Sequence, residues 1–513
     1  MKKAFTLLCI LAIFSARAQA VSFNWAKQID NTTSMCYSKM GNLITTGTVP
    51  LITYDGNGQE IFRMKNTGNG NFTGTSVLID TIGNIFLSGT FDNTLILGGV
   101  STQAIGNSDG FVAKINSVGT VLWIKTCGGM GYESISAMVL DKADNIYITG
   151  AFQASIALEN TTLTGNGGNN VFVAKYDGNG SFQWAQKADG NTSNDYVGSR
   201  SIAFANGTVF VTGTFDGNAN FYSTKLTTGA TESDAYIAAF NSSTSISWVK
   251  QIHNADINIM KLDPENNLCL AGNFSNGTDF DNIHLQATKG LFVSNIFIAK
   301  LDFNGKAMWA QRAGSDYSDY CGALAVDSKE NFYIAGSFSD TATFGNTKLI
   351  SNGEQDLFVA KYDKYGNKLW LRGLGADGED AGVTLCVNNA ENSVYLIGTV
   401  EDGPVSVGNT MLTGFNIYFL SELGDINTGI EPEHTRADWQ IFPNPCSGTC
   451  YLSIDKSLEN NTLFSIIDLA GKQIQSGKLD ASSGIALQGL ASGMYMLVLQ
   501  NGNDRSQQKF IVQ

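Results

Sequence analysis

Four acidic residues recur at similar places in this sequence and are the first candidates for chemistry. Glu133, Asp319 and Asp380 each lie ten residues after a tryptophan, and Asp195 lies eleven residues after one. Carboxylates gathered around one opening could bind Ca²⁺, which takes oxygen ligands, or a cationic or sugar ligand. Alternatively, each carboxylate accepts backbone N–H hydrogen bonds that tie adjacent repeats together. Because the position recurs from unit to unit, the structural role is favoured. We therefore predict no cofactor, although these residues could hold Ca²⁺.

Other chemical signals are sparse. The chain has three histidines, His253, His284 and His434, and it contains no HExxH, GxSxG or Walker-type motif. His253 and Asp256 depart from the repeat pattern and could belong to a single-copy site. Aspartates that precede an asparagine by four residues are interpreted as turn caps, because carboxylates accept hydrogen bonds from turn N–H groups. These aspartates are Asp80, Asp141, Asp263 and Asp327.

The amino-acid composition indicates which kind of fold holds these residues. Among 513 residues there are 56 glycines and 6 prolines, and only 15% are charged, which suits many short strands joined by tight turns. The net charge of −14 argues against binding nucleic acid or an anionic membrane through a basic surface.

The first twenty residues predict export. Residues 1–20 combine a basic start, an apolar stretch and a small-residue cleavage site, as in a signal peptide, so no transmembrane anchor is expected after cleavage. Seven cysteines follow residue 20, an odd number that leaves at least one thiol unpaired. Cys446 and Cys450 flank a Ser-Gly turn, and a disulfide between them stays open.

A sevenfold repeat dominates residues 21–424. Each unit carries a glycine segment such as DNIYITG or ENFYIAG, then a segment such as VFVAKYDGNG, and then an aromatic strand. The aromatic residues are Trp25, Phe62, Trp123, Trp184, Trp248, Trp309 and Trp370. Four short strands per unit predict antiparallel meanders stacked radially as a seven-bladed β-propeller, with the aromatic series packed between blades. The orphan strand 23–29 is expected to complete the last blade and close the ring.

Most units carry an insertion after the glycine, as in residues 151–170. These insertions could form a binding rim on one face, or they could be plain hairpin extensions. The pattern recurs in the same register from unit to unit, and it resembles the SBBP-type β-propeller repeats of exported bacterial proteins. The resemblance covers residues 21 to about 424; it implies a propeller fold and supplies no catalytic residues.

The tail differs from the repeats. Residues 425–438 are polar and read as a linker, and the alternating runs of residues 439–513 predict a small β-sandwich. IFPNP, IIDLAGKQI, LASGMYMLVL and the terminal KFIVQ resemble, in order and spacing, the type A C-terminal sorting domain of type IX secretion. The motif residues are Pro443, Asn444, Pro445, Gly471, Gly493, Tyr495 and Lys509.

The sorting-domain resemblance implies a Bacteroidota-type cell, passage through the periplasm, and an extracellular or outer-membrane surface location. It also implies the type IX machinery as a partner, cleavage within the linker, and release or attachment to surface lipopolysaccharide. Three functions fit the whole chain. The leading one is a non-catalytic binding protein for a glycan, protein or envelope partner. The second is an extracellular polysaccharide hydrolase or lyase with a channel-mouth site, and the third is a structural surface-layer protein.

Overall fold

The structure is a computed structural model that describes residues 22–166, 168–229, 233–241, 245–288, 293–389, 393–424, 440–442, 444–453, 462–467, 473–479, 484–487, 490–491, 493–501 and 504–512. Every regular element in these ranges is a β-strand. No helix in the described ranges has the length and apolar character needed to cross a bilayer. The chain divides between Asp425 and Ile426 into two compact units. The predicted signal peptide and linker lie outside the described residues.

Forty strands make up the first unit. The first twenty are β1 (Ser22–Ile29), β2 (Thr32–Tyr37), β3 (Leu43–Gly47), β4 (Leu51–Tyr54), β5 (Glu60–Met64), β6 (Phe72–Ile79), β7 (Ile85–Phe91), β8 (Thr94–Leu97), β9 (Val100–Gln103), β10 (Asp109–Ile115), β11 (Val121–Gly128), β12 (Ser134–Leu140), β13 (Ile146–Phe152), β14 (Ser155–Leu158), β15 (Thr161–Thr164), β16 (Asn170–Tyr176), β17 (Phe182–Ala188), β18 (Tyr196–Ala205), β19 (Thr208–Asp216) and β20 (Asn218–Phe221). The next twenty are β21 (Thr224–Thr227), β22 (Asp234–Asn241), β23 (Ile246–Ile252), β24 (Ala255–Leu262), β25 (Leu268–Phe274), β26 (Thr278–Phe280), β27 (Ile283–Leu285), β28 (Asn295–Leu301), β29 (Ala307–Gly314), β30 (Tyr320–Val326), β31 (Phe332–Phe338), β32 (Thr341–Phe344), β33 (Thr347–Ile350), β34 (Asp356–Tyr362), β35 (Lys368–Leu374), β36 (Ala381–Asn388), β37 (Ser393–Asp402), β38 (Val405–Val407), β39 (Thr410–Leu412) and β40 (Phe415–Gly424).

Twenty-eight of these forty strands form seven four-stranded antiparallel meanders, and the other twelve form hairpins. Sheets 1 to 6 have the orders β2-β3-β4-β5, β6-β7-β10-β11, β12-β13-β16-β17, β18-β19-β22-β23, β24-β25-β28-β29 and β30-β31-β34-β35. Sheet 7 is β36-β37-β40-β1, so the N-terminal strand supplies its fourth member. The first strands contact one another in the cycle β2, β6, β12, β18, β24, β30, β36 and back to β2. The unit is therefore an all-β fold with propeller-like sheets.

The insertions between the second and third strands form hairpins. Sheets 2 to 7 carry β8–β9, β14–β15, β20–β21, β26–β27, β32–β33 and β38–β39, respectively. Two of these hairpins, β14–β15 and β32–β33, also hydrogen bond to the fourth strand of the preceding sheet. At least these two insertions extend the sheet structure.

The repeated glycine of each unit has a steric cause. In every sheet the first strand bulges by one residue, and the glycine on the second strand pairs with the residue just before that bulge. A Cβ atom on Gly213 would lie 1.8 Å from the carbonyl oxygen of Gly198, and one on Gly336 would lie 1.9 Å from that of Tyr320. Only glycine allows this backbone approach, which is a common role for glycine at bulges.

The aromatic residue on each fourth strand packs against the neighbouring sheet. A Cβ atom on Gly305 of sheet 5 would lie 2.9 Å from the ring of Trp248 in sheet 4. The same contact relates Trp25 of sheet 7 to Gly58 of sheet 1, at 2.5 Å. The aromatic series therefore fills the space between sheets, where burial of large apolar area stabilises the stack.

The second unit has two antiparallel sheets. Its strands are β41 (Gln440–Phe442), β42 (Thr449–Ser453), β43 (Leu463–Ile467), β44 (Gln473–Lys478), β45 (Gly484–Ala486), β46 (Gly493–Asn501) and β47 (Asp504–Val512). The orders are β41-β42-β45 and β44-β43-β46-β47, and buried side chains of both sheets share one apolar core. Cys446 and Cys450 lie buried in this core and are not joined by a disulfide.

Candidate functional site

The four repeated carboxylates have one arrangement in common. One oxygen of Asp319 accepts the N–H of Ser315 in the preceding loop at 2.6 Å, and the other accepts the N–H of Ser339 after β31 at 3.2 Å. Asp380 does the same with the N–H groups of Ala376 (2.6 Å) and Glu401 (3.0 Å). Each of these aspartates thus links the loop that enters its sheet to the end of the second strand.

Asp195 and Glu133 occupy corresponding places. Asp195 accepts the N–H groups of Asn191 at 2.8 Å and Asn218 at 2.9 Å. Glu133 is fully buried. Burial raises the pKa of its carboxyl group, although the backbone N–H groups of Gln153 and Gly129 partly oppose this shift. The four carboxylates belong to four different sheets. Asp195, Asp319 and Asp380 are hydrogen bonded within their own loops, whereas neither oxygen of Glu133 has a described partner within hydrogen-bond distance.

These hydrogen bonds join each sheet to the loop that enters it, whereas the structural role expected from the sequence is a link between adjacent repeats. Within the ranges that the structure describes, no group of three or more His, Cys, Asp or Glu side chains is placed to hold a metal ion. The Ca²⁺ site stays a prediction.

The second aspartate class caps turns, as the sequence predicted. Oδ1 of Asp80 accepts the N–H groups of Ile82 and Asn84, at 3.1 and 2.7 Å. In sheet 5, Asp263 makes the same bonds to Glu265 and Asn267. Asp263 also binds the buried ammonium of Lys300 at 2.7 Å.

The two single-copy residues of sheets 4 and 5 are not brought together. Nδ1 of His253 lies 2.8 Å from Oδ2 of Asp234, a buried carboxylate at the start of β22. Asp256 instead faces Arg200 on β18 and Tyr320 on β30. The expected pair of His253 and Asp256 is therefore replaced by a different set of partners.

Arg200, Asp256 and Tyr320, here called the Arg200 cluster, come from the first strands of three consecutive sheets. Burial raises the pKa of Asp256, Arg200 lowers it, and Asp216 raises it further. Burial also raises the pKa of Tyr320, although 48% of this residue is exposed. Among the described residues no ion pair involves Arg200, and its side chain is exposed.

The sequence analysis did not identify Arg200 as a candidate, because its distinct position appears only when the seven first strands are aligned with one another. It is the bulged residue of β18, and the bulged residues of the other six sheets carry no charge. The equivalent residues are Thr33, Thr75, Ser136, Asn258, Gly322 and Val383. Aligning the repeats on their glycines would have singled it out.

An open groove of about 310 Å³ lies beside β1 and is lined by Tyr54 and Arg63, among others. Three of the charged residues that line it are paired, because Arg63 binds Asp30 at 2.8 Å and also contacts Glu60.

In the second unit the described motif residues converge on the terminal strand. Oδ1 of Asn444 accepts the N–H of Ile511 at 2.9 Å, and the Tyr495 ring lies 6.0 Å from that of Phe510. Pro445 directly follows Asn444, Gly493 begins β46, and Lys509 on β47 pairs with Met496. Pro443 and Gly471 lie outside the described residues.

Residues 440–513 match the family model described as a secretion system C-terminal sorting domain. The C-terminal unit is a sorting domain of this family. The sorting domain indicates delivery by the type IX secretion machinery to the cell surface or the exterior.

The repeat region has more distant relatives. The chain is 24% identical over 467 residues to an uncharacterized WD repeat-containing protein of Acanthamoeba polyphaga mimivirus, a match that covers 70% of this chain and 33% of that protein. The chain thus spans about a third of that relative's length.

Solved structures give weak likenesses. The virginiamycin B lyase of Staphylococcus aureus is 8% identical, over 78% of this chain and 98% of that one, with a TM-score of 0.41. PorZ, a bacterial surface component of the type IX secretion system of Porphyromonas gingivalis, is 11% identical, over 94% and 81%, with a TM-score of 0.25. TM-scores this low carry no argument about activity.

Proposed function

We propose that this chain is an exported, non-catalytic binding protein, carried through the periplasm and across the outer membrane by type IX secretion. We further infer that its seven sheets are the blades of one closed propeller of the SBBP type. The pairing of β1 with β40 and the contact of β36 with β2 support closure. In a closed ring, the first strands line a central channel.

The Arg200 cluster carries the binding proposal. In a closed ring it lies on the channel side of sheets 4, 5 and 6, near the loops that enter these sheets. A guanidinium, a carboxylate and a phenol combine donors, an acceptor and an aromatic face, which suits a glycan or the polar surface of an envelope protein. The other blades carry no equivalent set, as expected for a site evolved on a repeated scaffold.

Binding is tested on the full chain without its leader, with a glycan array and with thermal unfolding in the presence of each glycan hit. A ligand that binds only the folded state raises the unfolding midpoint. Asp256→Asn and Tyr320→Phe are expected to weaken binding, whereas Tyr132→Phe, an exposed tyrosine in the loop entering sheet 3, leaves it unchanged. Equal loss in all three variants would contradict a site at the cluster.

Delivery is tested in cells. Removal of residues 440–513 is expected to trap the chain in the periplasm, and cell fractionation measures this. Surface display of the truncated chain would contradict the type IX route.

One observation favours a catalytic alternative. Asp256, whose pKa is raised by burial, lies near the exposed carboxylate of Asp216, and a pair of carboxyl groups is what glycoside hydrolysis uses. Release of reducing ends from a polysaccharide by the wild type, lost in Asp256→Asn, would support a hydrolase. Binding without release would favour the non-catalytic role.

Calcium binding by Glu133, Asp195, Asp319 and Asp380 also stays as a proposal. A rise in the unfolding midpoint with Ca²⁺, reversed by EDTA and absent in Asp319→Asn, would support it. The structural role predicts no Ca²⁺ effect.

A further inference from the structure

One level of the seven first strands, three paired residues beyond the bulge, contains a single charged residue. In each first strand, the third paired residue after the bulge occupies the same level. The residues at this level are Cys36, Leu78, Val139, Ala203, Lys261, Ala325 and Cys386. Six are apolar or thiol side chains, and the seventh is a lysine.

Lys261 points into the space between the first strands. Its strand, β24, contacts β18 and β30 on either side, yet its ammonium interacts electrostatically with Cys36 on β2 and Cys386 on β36. These strands belong to sheets 5, 1 and 7, so the interaction crosses the enclosed space. The side chain remains exposed to solvent while protein surrounds it, as expected in a water-filled channel.

The ammonium has no internal counter-ion. Among the described residues Lys261 forms no ion pair and no hydrogen bond. Burial raises the pKa of Cys36 to about 12 and that of Cys386 well above its usual value, so both thiols are neutral near pH 7. Burial also lowers the pKa of Lys261, and the neighbouring thiols oppose this shift. An ammonium without a carboxylate partner among apolar side chains favours a bound anion.

We propose that the channel binds a small aliphatic carboxylate, whose anionic group pairs with Lys261 and whose carbon chain contacts Leu78 and Val139. The mixed wall favours an organic acid over inorganic phosphate, because apolar side chains gain by covering carbon. The thiols of Cys36 and Cys386 serve as weak donors to the same carboxylate. The site rests on the closed ring proposed above and is separate from the Arg200 cluster.

The test uses the full chain without its leader and measures acylation of individual lysines by N-hydroxysuccinimide acetate, read by peptide mass spectrometry. Lys225, an exposed lysine on the β20–β21 hairpin, is the internal control. Butyrate at millimolar concentration is expected to slow acylation of Lys261 at least tenfold and to leave Lys225 unchanged. Butyramide, its neutral analogue, is expected to protect neither lysine.

Each contrary result has a distinct meaning. Acylation of Lys261 much slower than that of Lys225 without any ligand would contradict a water-filled channel, and with it the proposed closed ring, because a lowered pKa leaves more of the amine neutral and reactive. Acylation at the rate of Lys225 that butyrate does not change would overturn the carboxylate site alone. Stronger protection by inorganic phosphate than by butyrate would overturn the assignment to an organic acid.

A variant gives the second measurement. By calorimetry, Lys261→Met is expected to bind butyrate at least tenfold more weakly than the wild type, while Lys225→Met binds it equally well. If Lys261→Met fails to fold, the protection result on the wild-type chain decides the proposal.

Discussion

Nε1 of Trp25 donates a hydrogen bond to Oε2 of Glu422 at 3.1 Å, joining residues 397 positions apart. The hydroxyl of Ser421 adds a second bond, to the carbonyl oxygen of Trp25, at 2.6 Å. Both bonds fix the N-terminal strand to β40, and the Trp25 ring also packs against Gly58 of sheet 1. One side chain thus holds the first and last sheets together.

Trp25→Ala is therefore expected to destabilise the first unit by about 3 kcal/mol, as large-to-small changes of packed aromatic residues do. Trp25→Phe keeps the ring but loses the hydrogen bond, and it should cost about 1 kcal/mol. Urea unfolding followed by tryptophan fluorescence measures both. An equal loss in the two variants would indicate that the hydrogen bond, and not the packing, holds the strand.

Removing the Asp263 carboxylate is expected to cost more than removing its equivalent in sheet 2. Asp263→Ala deprives the buried ammonium of Lys300 of one of its two carboxylate partners, which should cost about 3 kcal/mol. Asp80→Ala loses only turn hydrogen bonds and should cost about 1 kcal/mol. Urea unfolding midpoints compare the two, and similar losses would contradict a stabilising Asp263–Lys300 pair.

Asp319 and Asp195 should change stability with pH in opposite directions. Burial raises the pKa of Asp319 from 3.8 to about 6, so folding favours its protonated form. Relative to Asp319→Asn, the wild type should gain up to about 3 kcal/mol as the pH falls from about 7 to about 4.

Hydrogen bonds from the backbone and from Asn218 lower the pKa of Asp195 although burial opposes them. Its contribution is present above the unfolded pKa of 3.8 and is lost as the pH falls through the folded pKa. The wild type should therefore lose stability relative to Asp195→Asn as the pH falls below about 4. Urea midpoints across this range give the sign for each site, and parallel trends would contradict the assignment.

Asn444→Ala should loosen the terminal strand of the sorting domain. The N–H of Ile511 would lose its acceptor, at a cost of about 1 kcal/mol. Hydrogen exchange at Ile511 is expected to accelerate several-fold in the full chain. Ser447→Ala, at an exposed position in the same loop, is the control and should leave that exchange rate unchanged.

The repeat allowed most of the first unit to be predicted from sequence. The expected strand 23–29 corresponds to Ser22–Ile29. Alternation and turn residues set these limits because both act over a few neighbouring positions. The recurrence of Gly213 and its equivalents was visible, but its steric cause needed the pairing partner across the bulge.

The candidate site was harder to predict. Arg200, Asp256 and Tyr320 lie more than fifty residues apart from one another in sequence, and only the stacking of sheets brings them together. The sequence paired Asp256 with His253 because they are neighbours in the chain. The structure turns His253 toward Asp234 instead, since a strand start sends nearby side chains to different faces.

The register of β1 has one more consequence. Ser22 pairs directly with Gly424, so the two ends of the sevenfold unit lie side by side. A short peptide could join them, and the chain could then be cut at an exposed turn, such as that at Ser117 and Val118, without losing a strand pairing. The sheets could therefore be encoded in a rotated order, and a circularly permuted gene should produce the same seven sheets.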